Sequence, residues 1–138
     1  SYGAVLEWMY SVMAGIDVDE SYPGFKHIIL RPEPDNRTTI PDGQERINWV
    51  DASFHSGYGD IKSAWKKESD GTIIYKVTIP ANTTATLHLQ LPTLDYVVEE
   101  DGHAAVKSEG VSSVTFMKGQ AVLELQSGSY VFVVKDGK

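Results

Sequence analysis

Ile73-Ile74-Tyr75-Lys76-Val77-Thr78-Ile79 decides the fold. Ile73, Tyr75, Val77 and Ile79 fall on one side of an extended chain, and Ile74, Lys76 and Thr78 on the other. This two-residue period is that of a strand with one mostly buried face. Pro80 cannot donate to a sheet ladder and closes the run, and Asn82-Thr83 turns the chain toward the next one. There Ala85, Leu87, Leu89 and Leu91 alternate with Thr86, His88 and Gln90, and Pro92 ends the run. Further on, Ala121, Leu123 and Leu125 alternate with Val122, Glu124 and Gln126. Tyr130-Val131-Phe132-Val133-Val134 is apolar on both faces, which predicts a central strand. Weaker strand patterns occupy Phe25–Arg31, Ile47–His55, Gly59–Lys67, Tyr96–Glu99 and Ser113–Met117, with Trp65 on the same core face as Ile61.

The punctuation between these runs is regular. Ser56-Gly57-Tyr58-Gly59, Asp70-Gly71, Asp101-Gly102, Lys118-Gly119 and Ser127-Gly128 are turn signals. About nine short strands joined this way predict a mostly β chain, an antiparallel β-sandwich of jelly-roll or Greek-key type. Glu33–Glu45, rich in Pro, Asp, Asn and Thr, is expected to be the least ordered stretch.

The N-terminal segment has a different period. Val5, Trp8, Met9, Val12, Met13 and Ile16 recur at three- and four-residue spacings, which predicts an α-helix over Tyr2–Ile16. Ser1 suits its N-cap and Gly15 its stop. Glu7 is its only charge, and a helix apolar all round expects neighbours on two sides. The expected organisation is therefore a helix over 1–16, a linker over 17–24 and a sandwich over 25–138.

Composition narrows the function classes. The sequence has 138 residues, about one domain, and a chain of this size buries roughly 68–70% of its unfolded surface, so it needs no covalent staple. It has no cysteine, which excludes disulfides, a thiolate nucleophile and thiolate-bound metal. Twelve Lys and Arg against 19 Asp and Glu give a formal charge of −7, which argues against nucleic-acid or anionic-membrane partners. No apolar run reaches the roughly 18 residues of a membrane span. Ser1 followed directly by a helical pattern, without a basic n-region, suggests a piece of a longer chain.

Motifs for chemistry are scarce. His27, His55, His88 and His103 are too far apart in sequence for a local metal-ligand spacing. Asp17, Asp19 and Ser21 begin like a calcium loop, but Tyr22 replaces its glycine and Ile28 its bidentate glutamate. No phosphate-cradling glycine motif or G-x-S-x-G elbow is present. Most carboxylates sit in turns or in the Glu99-Glu100-Asp101 cluster; Asp51 and Asp60 lie within strand patterns and are the pair of interest for acid–base work on a glycosidic bond. Among the aromatics, Trp49, Tyr58 and Tyr96 could stack on a sugar ring if exposed, with core or interface packing as the plainer role.

Several stretches together resemble one family. Ser1-Tyr2-Gly3-Ala4-Val5-Leu6-Glu7-Trp8-Met9-Tyr10 with Ala14-Gly15-Ile16 is similar to the last barrel helix of bacterial α-L-rhamnosidases. Pro23-Gly24-Phe25-Lys26-His27, with Ile29 and Arg31-Pro32, resembles the segment that follows it there. Tyr58-Gly59-Asp60-Ile61-Lys62-Ser63-Ala64-Trp65, Ile79-Pro80-Ala81-Asn82-Thr83-Thr84-Ala85 and Ser127-Gly128-Ser129-Tyr130-Val131-Phe132 look like three further stretches of that family, in the same order.

The resemblance implies the carboxy-terminal part of an inverting glycoside hydrolase, in which the last helix of a truncated (α/α)6 catalytic barrel is followed by a β-sandwich. The family's acid and base lie in barrel segments outside this sequence, so no catalytic, cofactor or metal-binding residue carries over. The implied partner is the barrel of the same polypeptide, met through Val5, Trp8, Met9, Val12 and Met13, and the rhamnosyl glycan is a substrate of the longer enzyme only. Without the barrel, the helix is expected to drive artefactual self-association. The bacterial compartment stays open among cytoplasmic, periplasmic and extracellular. The leading expectation is an accessory domain that stabilises the barrel. The alternative is a carbohydrate-binding module using Trp49 and Tyr58.

Overall fold

The computed structural model describes residues 15–19, 26–34, 42–43, 47–56, 59–93 and 95–137. They form strands β1 (Ile16–Asp19), β2 (Lys26–Leu30), β3 (Trp49–Ser56), β4 (Gly59–Lys67), β5 (Ile73–Ile79), β6 (Thr83–Gln90), β7 (Tyr96–Glu100), β8 (His103–Ala104), β9 (Val111–Met117), β10 (Gln120–Leu125) and β11 (Gly128–Asp136), with a 3-10 turn at Ala105–Lys107. One sheet has five strands in the order β1-β2-β6-β10-β9, and the other has six in the order β3-β4-β5-β11-β7-β8.

Among the described residues there is no α-helix. The helix expected over Tyr2–Ile16 lies outside them except at its end, where Gly15 is a turn and Ile16 opens β1. Val5, Trp8, Met9, Val12 and Met13 are therefore also outside the described residues. β1 takes the expected helix end, Ile16, and the first three residues of the expected linker, and it pairs antiparallel with β2 from Ile16 opposite Leu30 to Asp19 opposite His27.

Among the described residues, the antiparallel expectation holds at every strand pair but one. β2 and β6 run parallel, with His27 beside Thr84 and Ile29 beside Thr86. Parallel neighbours need a crossover. Here it is supplied by β3, β4 and β5, which lie in the other sheet between β2 and β6 in the chain.

The inner faces of the two sheets close on a shared core of buried side chains. The six-stranded sheet contributes an aromatic row, because Trp65 pairs with Tyr75 and Tyr75 with Phe132 across β4, β5 and β11. All three are essentially fully buried. The five-stranded sheet answers with aliphatic side chains: Ile28, Leu30, Ala85, Leu87, Leu89, Ala121, Leu123 and Leu125. Each large one is worth about 1.5–3 kcal/mol of burial. The alternation in β5 and β6 is as the sequence predicts, buried at every second residue.

Two corners are fixed locally, one by backbone conformation and one by a side-chain hydrogen bond. Asp101 and Gly102 both have positive φ, 54° and 83°, as the type I′ hairpin between β7 and β8 requires. At the entry to β11, the Tyr130 hydroxyl donates to the Gln126 carbonyl at 2.8 Å, four residues upstream. This is the arrangement of the tyrosine corner found in immunoglobulin-type sandwiches. Tyr130 also stacks on Phe132, with ring centroids 5.6 Å apart.

Candidate functional site

The outer face of the six-stranded sheet carries the most distinctive surface. Side chains alternate across a strand, so Trp49 and Asp51 of β3 point away from the core, in contrast to buried Val50. Register places Trp49 opposite Lys66, which is opposite Ile74, in one row. The next row runs Asp51, Ala64, Lys76. Ala64 has only a methyl group between the longer Asp51 and Lys76, so the surface dips there. The result is an open groove of about 520 Å³ lined by Trp49, Asp51, Ala64, Lys66, Glu68, Ile74 and Lys76, among others. Its floor is the half-buried pair Ala64 and Ile74, and its wall is Trp49, 59% exposed.

A second groove of about 500 Å³ lies at one end of the sandwich, lined by Leu91, Pro92, Thr93, Tyr96, Phe116, Met117, Lys118 and Gly119. Phe116 and Met117 are 61% and 54% exposed. Among the described residues, Lys118 is the only charged one lining it.

The outer face of the five-stranded sheet holds a polar network that binds strands together. His27, 5% exposed, has Nδ1 2.7 Å from Thr84 Oγ1 and Nε2 2.7 Å from Thr86 Oγ1. Thr86 has one hydroxyl proton and donates it to Glu124, at 2.8 Å to Oε1. Nε2 must then carry the proton that His27 shares with Thr86. The chain His27–Thr86–Glu124 crosses β2, β6 and β10, and it identifies His27 as a satisfied strand histidine. Sequence reasoning did not find this network, because its members lie far apart in the chain; only the Thr-His-rich outward face of β6 hints at it. Nearby, His88 Nδ1 lies 3.0 Å from Gln120 Oε1.

Asp51 and Asp60 share the outer face of the six-stranded sheet but are not brought together. Asp51 pairs with Ala64, and Asp60 pairs with His55. Four residues of strand separate the two positions, about 13 Å at ~3.3 Å per residue. Glycosidic acid–base pairs stand about 5–9.5 Å apart. Tyr58 lies outside the described residues. Among the described residues, no three His, Cys, Asp or Glu side chains gather as a metal site would need.

Ionisation shifts occur where the fold explains them. Burial raises the Tyr75 hydroxyl far above its ordinary range. Burial, and then the Glu100 charge, raises that of Tyr130. Asp70 is lowered because its carboxylate accepts the Thr72 backbone N–H at 2.9 Å in the β4–β5 turn.

Over residues 15–104 the chain matches the family described as the bacterial α-L-rhamnosidase C-terminal domain. It is 31% identical over 134 residues to an α-L-rhamnosidase of Streptomyces avermitilis, covering 97% of this chain and 11% of that enzyme. With an α-L-rhamnosidase of Formosa agariphila it shares 25% identity over 135 residues, covering 98% of this chain and 13% of the enzyme. The solved Streptomyces avermitilis α-L-rhamnosidase complexed with L-rhamnose matches with a TM-score of 0.63 at 30% identity, over 97% of this chain and 11% of that one. That of Dictyoglumus thermophilum has the same fold over 98% of this chain and 14% of its own, with a TM-score of 0.72 at 24% identity. The chain thus spans only 11% and 13% of the length of these curated relatives. A match across residues 15–104 of a 138-residue sequence, well over half of it, makes the chain a member of the bacterial α-L-rhamnosidase C-terminal domain family.

Proposed function

We propose that this chain is the non-catalytic accessory β-sandwich, of jelly-roll or Greek-key type, of an inverting α-L-rhamnosidase-like glycoside hydrolase. It packs on the catalytic (α/α)6 barrel of the same polypeptide and stabilises it. The observation that carries this reading is the match to a C-terminal domain family by a chain covering 11% and 13% of enzymes named for the activity. The apolar groove at Phe116 and Met117 supports it, since exposed apolar patches of this kind mark contacts with other protein surfaces. Val5, Trp8, Met9, Val12 and Met13 would belong to the barrel's last helix and meet its other helices. With the barrel removed they would favour pairing between copies. The rhamnosyl glycan is then a substrate of the whole enzyme, cleaved outside this chain.

A second reading, a carbohydrate-binding module, has the exposure of Trp49 in its favour. The test of the first is to compare the whole enzyme, the enzyme truncated before residue 15, and this chain alone. The chain alone should release nothing from an aryl α-L-rhamnoside, and the truncated enzyme should unfold several degrees below the whole one. Turnover by the chain that is lost on changing Asp51 or Asp60 would overturn the proposal, as would an unchanged unfolding temperature on truncation.

A further inference from the structure

We propose that the groove walled by Trp49 is a subsite for one neutral pyranose ring, with the Trp49 indole as its stacking platform; the assignment rests on the carbohydrate-binding reading and gives it a place. A lone exposed tryptophan on a protein surface needs no explanation. Trp49 is not alone, because the groove beside it has the composition a sugar requires. Its floor, Ala64 and Ile74, is apolar and half-buried, and its wall is an aromatic side chain more than half exposed. A pyranose presents such a surface with the matching pattern, a patch of C–H bonds ringed by hydroxyls.

The rim supplies the matching polar groups. Asp51 and Glu68 offer carboxylate acceptors, and Lys66 and Lys76 offer ammonium donors. Two negative and two positive charges cancel, so the rim favours a neutral ligand carrying both donors and acceptors over an anion or a cation. The volume of about 520 Å³ lies within the roughly 300–1,000 Å³ typical of small-molecule sites. Trp49, Asp51, Ala64, Lys66, Ile74 and Lys76 all stand on strands β3, β4 and β5, whose pairing fixes their spacing. Rigid placement lowers the ordering cost of binding. Among the described residues, the groove at Phe116 has only Lys118 as a charged lining group, so they give it no such balanced rim.

One aromatic face and an open groove give weak binding, with a dissociation constant on the order of millimolar for a single ring. The experiment is an NMR titration of the 138-residue chain with methyl α-L-rhamnoside and methyl glucoside, following the indole N–H and backbone amide signals, with sorbitol as an open-chain control. The expected result is a saturable shift of the Trp49 indole and of the Ala64, Lys66 and Lys76 amides with at least one of the glycosides. The Trp65 indole, buried on the opposite face, should stay still. Trp49→Ala should weaken binding at least tenfold and Trp49→Tyr should retain part of it. Ala64→Phe, which fills the floor and leaves Trp49 in place, should also abolish it.

The assignment is overturned by no saturable shift through tens of millimolar glycoside, by an equal response to sorbitol, or by undiminished binding in both Trp49→Ala and Ala64→Phe. A saturable shift mapping elsewhere on the chain overturns the groove while leaving the carbohydrate-binding reading intact. An absence of any saturable shift removes both.

Discussion

Tyr75→Phe should make the protein more stable, although it removes a polar group from the centre of the aromatic row. Tyr75 is fully buried between Trp65 and Phe132, and its hydroxyl has no hydrogen-bond partner among the described residues. Taking a hydroxyl out of water without a new partner costs about 1–3 kcal/mol in protein mutational data. Phenylalanine removes that cost. Two smaller effects oppose the gain. The lost oxygen forfeits a few contacts of ~0.1–0.2 kcal/mol each, and a residual void of ~10–15 Å³ costs about 0.3 kcal/mol at ~24 cal/mol per Å³. The net expectation is a gain of about 1 kcal/mol.

Tyr130→Phe makes the same chemical change on the adjacent strand and should act in the opposite direction. Its hydroxyl donates to the Gln126 carbonyl at 2.8 Å, a bond worth about 1 kcal/mol net. The two variants should therefore differ by about 2 kcal/mol, with midpoints several degrees apart at ~2–8 °C per kcal/mol for domains of this size range. Urea unfolding followed by far-ultraviolet circular dichroism measures both, and equal m-values would show that the unfolded states are comparable. If Tyr75→Phe loses as much stability as Tyr130→Phe, the Tyr75 hydroxyl is engaged and the reasoning from its isolation is refuted.

Two further outcomes follow from the same corner and core. Stability should fall as pH rises above about 10, where an unfolded tyrosine begins to lose its proton while buried Tyr75 keeps its own. The contribution is complete below pH ~10 and declines by about 1.4 kcal/mol per pH unit toward the raised folded-state value; urea midpoints across that range should lose this slope in Tyr75→Phe. Gly110→Ala should cost about 2–3 kcal/mol, because Gly110 has φ +88° and a Cβ there would overlap the Tyr130 hydroxyl. In urea melts the cost should shrink in a Tyr130→Phe background, and strictly additive losses would show that the two positions do not press on each other.

Much of the fold is legible in the sequence because one face of most strands is buried. β4 and β5 have the limits that their alternation predicts, and Trp65 with Ile61 lies in the core as expected. β1 is hidden for a physical reason. Ile16-Asp17-Val18-Asp19 is only four residues of alternation, and Ile16 also completes the helical spacing that runs from Val5. Pairing with β2 settles the matter in the structure, and a pairing partner is not a local property. The parallel β2–β6 pair is hidden similarly, since a period of two is the same in either direction. β11 tests the pattern from another side. It lies inside the sheet order between β5 and β7, as its apolar sequence predicts, yet Val131 is 42% exposed. Its outward face belongs to the same uncovered surface as the Trp49 groove.

That surface shows why a candidate binding site can escape a reading that recovers the strands around it. Trp49 could be singled out as an aromatic, but whether it forms a platform depends on its neighbours across the sheet. Ala64 is an unremarkable residue in β4 until register sets it between Asp51 and Lys76, where its small size becomes a depression. Lys66, Glu68 and Lys76 read as ordinary solvated charges until the same register places them around that depression beside an exposed indole. The chemistry thus lies in cross-strand adjacency. The same holds for His27, where a parallel strand some 57 and 59 residues away places Thr84 and Thr86 at its two nitrogens. In one case adjacency satisfies a polar side chain and locks two strands together; in the other it leaves an apolar floor and a balanced polar rim open to solvent. Only the open arrangement can accept a ligand, and for that reason the groove, rather than the histidine network, is the candidate for recognition.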